Sequence, residues 1–289
     1  MSSHPSDLDW EFFAKQDPYW AVLTDDKFRT QNLNEKARDE FFASGEKYVN
    51  QEFEIIHRYL DPDFKPRTAL DFGCGVGRLV IPMGAKFESV TGVDISETML
   101  REAQAACDSK GVKNVRLIQG LEKLSDSGRK FDFINSFIVF QHIPCHRGLG
   151  LFRRLVDLLA EDGVGAIHVT FSKSHYCPDA DGPLPLEYKS QVHTNPDGLR
   201  YHLRGAKSAA WRLLKERISK MLSSGRPAKQ SPQVEEKPIM QMNSYLLNPM
   251  LQVLQQSGVG QFHAFFSDHG GTLGVILFFQ KKSASQYSF

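Results

Sequence analysis

Two kinds of hydrophobic spacing alternate along this chain. From Ala69 to Phe137, short apolar runs of strand length recur: Ala69 to Asp71, Ser89 to Asp94, Val115 to Gln119 and Phe131 to Phe137. Between them lie stretches with helical spacing, of which Leu79 to Ala85 and Glu97 to Cys107 stand out. Ser96 occupies the position where a helix N-cap is wanted. Strands and helices in turn predict a parallel sheet covered by helices on both faces. One more strand is expected over Gly165 to Ser172, after which the alternation stops. It returns with a helix over Tyr245 to Gln256, ended by Gly258, and strands over Gln261 to Ser267 and Thr272 to Gln280.

Four segments follow from this pattern. Residues 1–64 carry Trp10, Phe12, Phe13, Tyr19, Trp20, Phe28, Phe41, Phe42 and Tyr48 without strand alternation, and predict a helical N-terminal arm. Residues 65–172 form the alternating core. Residues 173–240, rich in proline and glycine, predict an inserted cap. Residues 241–289 complete the core sheet. There is no internal repeat.

The most informative local sequence is Asp71-Phe72-Gly73-Cys74-Gly75-Val76-Gly77-Arg78. Glycine at alternate positions lets a backbone approach a ligand closely, because no Cβ intervenes. Placed between a strand and a helix, the loop has the setting of a nucleotide-type cofactor site. Its G-x-G-x-G spacing differs from the G-x-G-x-x-G of dinucleotide-binding proteins. The next strand ends in Asp94, at the separation expected of an acid that accepts hydrogen bonds from a ribose diol.

Leu70 to Gly77, followed by Val90 to Ser96, resembles motif I and the following acidic motif of class I S-adenosylmethionine (SAM)-dependent methyltransferases. Phe131 to Phe137 resembles that superfamily's fourth strand, and Leu158 to Gly165 the turn before its fifth. The resemblance implies an α/β, Rossmann-like doubly wound sheet whose last strand runs antiparallel, with SAM as cofactor. It further implies that Gly73, Cys74 and Gly75 line the methionine end, with Asp71 near the ammonium. Asp94 would take the ribose hydroxyls and Ile95 would pack on the adenine. The third strand ends in Gln119-Gly120-Leu121-Glu122, where many relatives carry an acid. Gln119 or the Leu121 backbone is expected to take the adenine amino group there. Phe137, at the end of the fourth strand, completes the expected cofactor-binding set. In some relatives an N-terminal helical segment closes over the methionine end, so residues 1–64 read as an arm or lid with Glu40 to Tyr48 as the candidate, core packing being the other reading of its aromatics. Arg78 reads equally as a partner for a carboxylate or as a solvated charge.

Bulk properties narrow the setting. With 289 residues, 41% of them hydrophobic, and a net charge of +1, the composition fits a globular protein with no global pull toward nucleic acid. The apolar run Leu273 to Phe279 is too short to span a bilayer, and the first 20 residues lack a signal-peptide pattern. Cys74, Cys107, Cys145 and Cys177 show no ligand-like spacing, so free thiols, no metal and a cytoplasmic location are expected.

Methyl transfer from a sulfonium is an in-line displacement, and an alcohol acceptor needs a general base. His142, in Phe140-Gln141-His142-Ile143-Pro144, is the leading candidate for that base, a loop anchor being the other reading of the same residue. The fourth strand is followed by Asn135-Ser136-Phe137-Ile138 rather than the Asn/Asp-Pro-Pro-aromatic sequence used on base amines and glutamine amides. Pro144-Cys145 lacks the surroundings of a cytosine-C5 nucleophile.

Acceptor choice is expected to reside in the cap. Arg204 to Leu222 has helical spacing, with Trp211, Leu214, Ile218 and Met221 on one face and basic residues around them. Such a helix can lie on an anionic membrane surface, grip a phosphate on the acceptor, or simply cover the core. The expected function is therefore O-methylation of a small molecule or glycan, the lipid-linked or phosphorylated forms included. The rivals are an RNA methyltransferase using the basic segment 200–229, a catalytically silent SAM-binding adaptor and, more distantly, a polyamine synthase.

Overall fold

The computed structural model describes residues 4–125, 128–173, 238, 240–269 and 272–282. Seven strands form one sheet: β1 (Thr68–Phe72), β2 (Ser89–Asp94), β3 (Val115–Gln119), β4 (Phe131–Ser136), β5 (Leu159–Lys173), β6 (Val259–His269) and β7 (Thr272–Lys281). Their order is β3-β2-β1-β4-β5-β7-β6. The first five run parallel, whereas β7 is antiparallel to both β5 and β6. The chain therefore reverses direction across the sheet between β1 and β4. Side by side there, the two strand ends open the crevice in which α/β sheets bind ligands.

Helices cover both faces, which is why β1 and β2 read as unbroken apolar runs rather than alternating ones. On one face α7 (Cys145–Leu158) and α8 (Leu247–Gln256) pack through Phe152, Leu155, Met250 and Leu254 against Ile167, Leu277 and Phe279. On the other, α3 (Glu35–Tyr59) and α4 (Val80–Gly84) pack through Val49, Ile56, Val80 and Met83 against Phe133, Ala166 and Phe278. The expected helix after β2 is α5 (Glu97–Ser109). Ser96 caps it, its hydroxyl accepting from Met99 N at 3.1 Å.

The N-terminal arm is helical, as its aromatic spacing predicts. It comprises α1 (Pro5–Gln16), α2 (Pro18–Val22) and the long α3. Tyr19, Phe28, Phe41 and Phe42 form an edge-to-face aromatic cluster that ties the arm to α5 through Met99 and Ala106. Phe41, Gly45, Val49, Glu52 and Ile56 make the buried stripe of α3 at i+3 and i+4 spacing. A carboxylate within that stripe is exceptional. The expected cap, with the basic stretch 204–222, lies outside the described residues.

Candidate functional site

A cleft opens at the carboxyl ends of β1, β2 and β4. The space between its walls, open solvent at the mouth included, is about 970 Å³. Its floor is the glycine loop. Gly73 and Gly75 adopt φ of 78° and 51°, a left-handed conformation that glycine enters without penalty. A Cβ on Gly73 would lie 2.3 Å from Val139 Cγ2, and one on Gly75 would lie 2.7 Å from Val22 Cγ2. Both glycines are therefore required by contact as well as by conformation.

The loop's backbone donors are spent on β2. Gly73 N and Cys74 N both donate to Val93 O, at 2.7 and 3.0 Å. Gly75 N donates to Asp94 Oδ2 at 2.9 Å, and Ser96 N donates to Asp94 Oδ1 at 2.9 Å. Asp94, fixed in this way, lines the cleft. Ile95, Met99, Gly120 and Leu121 form the neighbouring apolar wall.

Eight of the eleven expected site residues line this cleft: Gly73, Gly75, Asp94, Ile95, Gly120, Leu121, Phe137 and His142. Asp71, Cys74 and Gln119 do not. Gln119 is exposed, and its amide donates to Ile95 O at 3.2 Å, so it braces the adenine-side wall from outside. Cys74 is buried, its sulfur turned toward Gly92. Asp71 lies beneath the loop, accepting from Asn135 Nδ2 at 2.8 Å, and burial pushes its carboxyl up to about 7. Arg78 does reach the wall, although it is only 6% exposed.

His142 sits in a 3-10 turn, Phe140–His142, between β4 and α7. Its Nδ1 lies 2.7 Å from Gln241 O, an atom that can only accept, which assigns the ring proton to Nδ1. Gln141 Oε1 accepts from Thr170 Oγ1 at 2.9 Å, which turns the Gln141 amide nitrogen toward His142 Nε2 at 3.2 Å. Both ring nitrogens are engaged. Burial, partly opposed by the bond to Gln241, pushes this imidazole down to about 4, so it is neutral at pH 7.

The arm also contributes to the cleft, through residues other than the 40–48 segment named as the candidate lid. Ser6, Asp7 and Trp10 of α1 and Val22 of α2 all line the cleft. Trp10 meets the His142 ring edge-on at 4.8 Å. Arg147 of α7 bonds both carboxylate oxygens of Asp7 and so clasps α1 to the rim. Glu11 accepts from Ser96 Oγ at 2.7 Å and Thr98 Oγ1 at 2.7 Å, which fixes α1 on the start of α5. On α3, a Cβ at Gly45 would lie 2.1 Å from Arg78 O, so that helix touches the loop backbone directly. Ile138, beside Phe137, has φ of 61°, a strained conformation for a β-branched residue.

Among the described residues there is no group of three or more His, Cys, Asp or Glu side chains able to hold a metal, and no helix long and apolar enough to cross a membrane. Cys74 and Cys107 are free thiols.

A parallel sheet reversed between β1 and β4, a glycine loop closing β1, an acid closing β2 and an antiparallel β7 beside β5 define a Rossmann-like fold of the methyltransferase type. Residues 69–163, about a third of the chain, match the family described as "Methyltransferase domain". A protein of Geobacillus sp. (strain WCH70), provisionally described as a methyltransferase, is 32% identical over 118 residues, covering 39% of this chain and 47% of that one. The ubiquinone biosynthesis O-methyltransferase of Chelativorans sp. (strain BNC1) is 36% identical over 80 residues, covering 28% and 32%. The chain thus spans less than half the length of these curated relatives. Among solved structures, magnesium protoporphyrin IX methyltransferase of Synechocystis PCC 6803 with bound SAM superposes with a TM-score of 0.52 at 16% identity, covering 98% of this chain and 99% of that one. At that identity the likeness concerns the fold.

Proposed function

We propose that this chain transfers a methyl group from SAM to the hydroxyl of a small molecule. The observation that carries the cofactor reading is Asp94. Its carboxylate is pinned by one N–H from the glycine loop and one from the start of α5, and it lines the cleft. That arrangement suits a ribose diol, and Ile95, Met99 and Leu121 beside it suit an adenine.

When bound, SAM supplies an electrophilic methyl group. The chain's residues hold the reactants and exclude water. The N–H groups of Gly73 and Cys74 are occupied, so at the methionine end the loop offers carbonyl oxygens to an ammonium. Trp10, Phe137, Val139 and Ile143 give the cleft apolar walls, in which alignment of the reacting atoms replaces solvation. The hydroxyl acceptor is supported by the O-methyltransferase relative, whose similarity covers only part of each chain.

His142 serves in this reading as wall and loop anchor, because Gln141 would have to release Nε2 before the ring could take a proton. His142→Ala is expected to lower stability while the pH dependence of turnover keeps its shape. Loss of the ascending limb of the pH profile in a well-folded variant would return it to the role of base. The cofactor reading is tested by calorimetric titration with SAM, S-adenosylhomocysteine (SAH) and NAD, followed by mass detection of methyl gain on hydroxylated acceptors. Binding of both adenosyl ligands but not NAD is expected. Failure of both in folded protein would refute it.

A further inference from the structure

Beneath the methionine end of the cleft, where Tyr48 and Glu52 lie close enough to interact as hydrogen-bonding groups, is a set of buried polar atoms without a partner at full hydrogen-bond geometry. They are Tyr48 Oη and both carboxyl oxygens of Glu52 on α3, Asp71 Oδ2 on β1 and Arg78 Nε after the glycine loop. Native proteins leave few such atoms, and five in one place call for a physical account. The four side chains are linked electrostatically: Glu52 feels Tyr48, Asp71 and the guanidinium, and Asp71 feels the guanidinium. The Arg78 guanidinium lies 5.8 Å from the Tyr48 ring and 5.6 Å from that of Phe137, and its Nη1 donates to Ser44 Oγ at 3.3 Å. Asp71 is further faced by Asn135 of β4 and Asp94 of β2.

The charges do not balance. Arg78 keeps its proton even when buried. One ionised carboxylate neutralises it. A second, in the same apolar space and with no further cation beside it, would leave an uncompensated buried charge, which is strongly unfavourable. Two acids and one guanidinium therefore hold one extra proton between them. We propose that Glu52, Tyr48, Asp71 and Arg78 form a single proton-sharing cluster under the cofactor's amino-acid end, and that the cofactor's ammonium expels that proton on binding.

This inference rests on the cofactor reading above. The ammonium would enter over Gly73, with Arg78 in the same wall. With the cofactor's own carboxylate held toward the open side of the cleft, the ammonium would add beside the acids the positive charge that the second carboxylate lacks. The O–H bond of the shared acid then breaks, its electron pair stays on the carboxylate and the proton passes to the buffer. Glu52 becomes a positioning residue of the cofactor site, acting through Arg78 and Asp71. Burial raises both acids above the ordinary carboxylate range, consistent with a proton held near neutral pH.

The test is titration of the full chain with SAH at pH 6.5 in buffers of different ionisation enthalpy. At that pH the SAH amine is already an ammonium and contributes little proton exchange of its own. Release of a fraction of a proton, up to about one per SAH, is expected, read from the slope of observed heat against buffer enthalpy. Glu52→Gln and Asp71→Asn should each abolish the release, because either change leaves one acid for one guanidinium. Glu52→Gln should still bind SAH. Equal heats in all buffers for the wild-type chain would overturn the proposal while leaving cofactor binding intact, as would full release in folded Glu52→Gln. Absence of SAH binding altogether would overturn the cofactor reading and this inference with it.

Discussion

Truncating Asp94 to alanine separates the two tasks of that carboxylate. In the free protein it accepts Gly75 N and Ser96 N, each at 2.9 Å. Ser96 is buried, so its N–H gains little from water once the carboxylate is gone. Leaving a buried donor unsatisfied costs about 1–3 kcal/mol, and two such donors give a stability loss of about 2–6 kcal/mol. The same truncation removes two charge-assisted hydrogen bonds to the ribose, each about 1.5–3 kcal/mol. Their sum corresponds to SAH binding weaker by roughly 10²- to 10⁴-fold. Calorimetric titration with SAH measures the second quantity, and urea unfolding monitored by circular dichroism measures the first. An affinity within about threefold of wild type, in a variant that still unfolds cooperatively, would refute the assignment of Asp94 to the ribose. Asp94→Asn refines the test. Its amide keeps one acceptor but must present an NH2 to one of the two backbone donors, so it too should lose stability and affinity.

Two further outcomes follow from packing and charge. Gly148→Ala places a Cβ 1.9 Å from Tyr245 Oη, a hydroxyl that donates to Ile143 O at 2.8 Å, and overpacking of this kind costs about 1–3 kcal/mol. Tyr245→Phe in the same chain should recover most of the loss, and a neutral Gly148→Ala in thermal unfolding would show that α7 can shift freely. Glu11 is partly desolvated, which alone would raise it, but hydrogen bonds from Ser96, Thr98 and Lys15 outweigh that and hold it at about 2 against an ordinary 4.5. Its contribution is therefore fully present above pH 4.5 and is lost as pH falls from there toward 2. Proteolysis within α1 should accelerate over that window, and Glu11→Gln should flatten the response.

Much of the core was legible because its signals are local. Ser89 to Asp94 and Val115 to Gln119 are strands with the bounds their apolar runs predict, and Ser96 caps α5 as its position before an amphipathic run implies. The reversed glycine-loop and acid geometry followed from residues 20 apart or fewer. The start of β5 was less readable. It already pairs with β4 at Leu159, but Asp162 at φ of 61° shifts the register, and the sequence there reads as a turn. What could not be read was contact between distant segments. Glu11 reaches α5 from 85 residues away, and Arg147 reaches Asp7 across 140. Glu52 carried the one available signal, an acid on the apolar stripe of α3, but its partners come from β1 and the glycine loop.

Gly45 links the histories of two segments that share no sequence proximity. A glycine in mid-helix costs about 1 kcal/mol relative to alanine, and here it allows α3 to rest on the carbonyl of Arg78. Any larger residue at 45 would push the helix outward as a rigid rod, carrying Tyr48 and Glu52 away from the guanidinium together. Among descendants of this fold, positions 45, 52 and 78 are therefore free to drift only as a set, and a relative that has lost the glycine should also have changed the acid or the arginine.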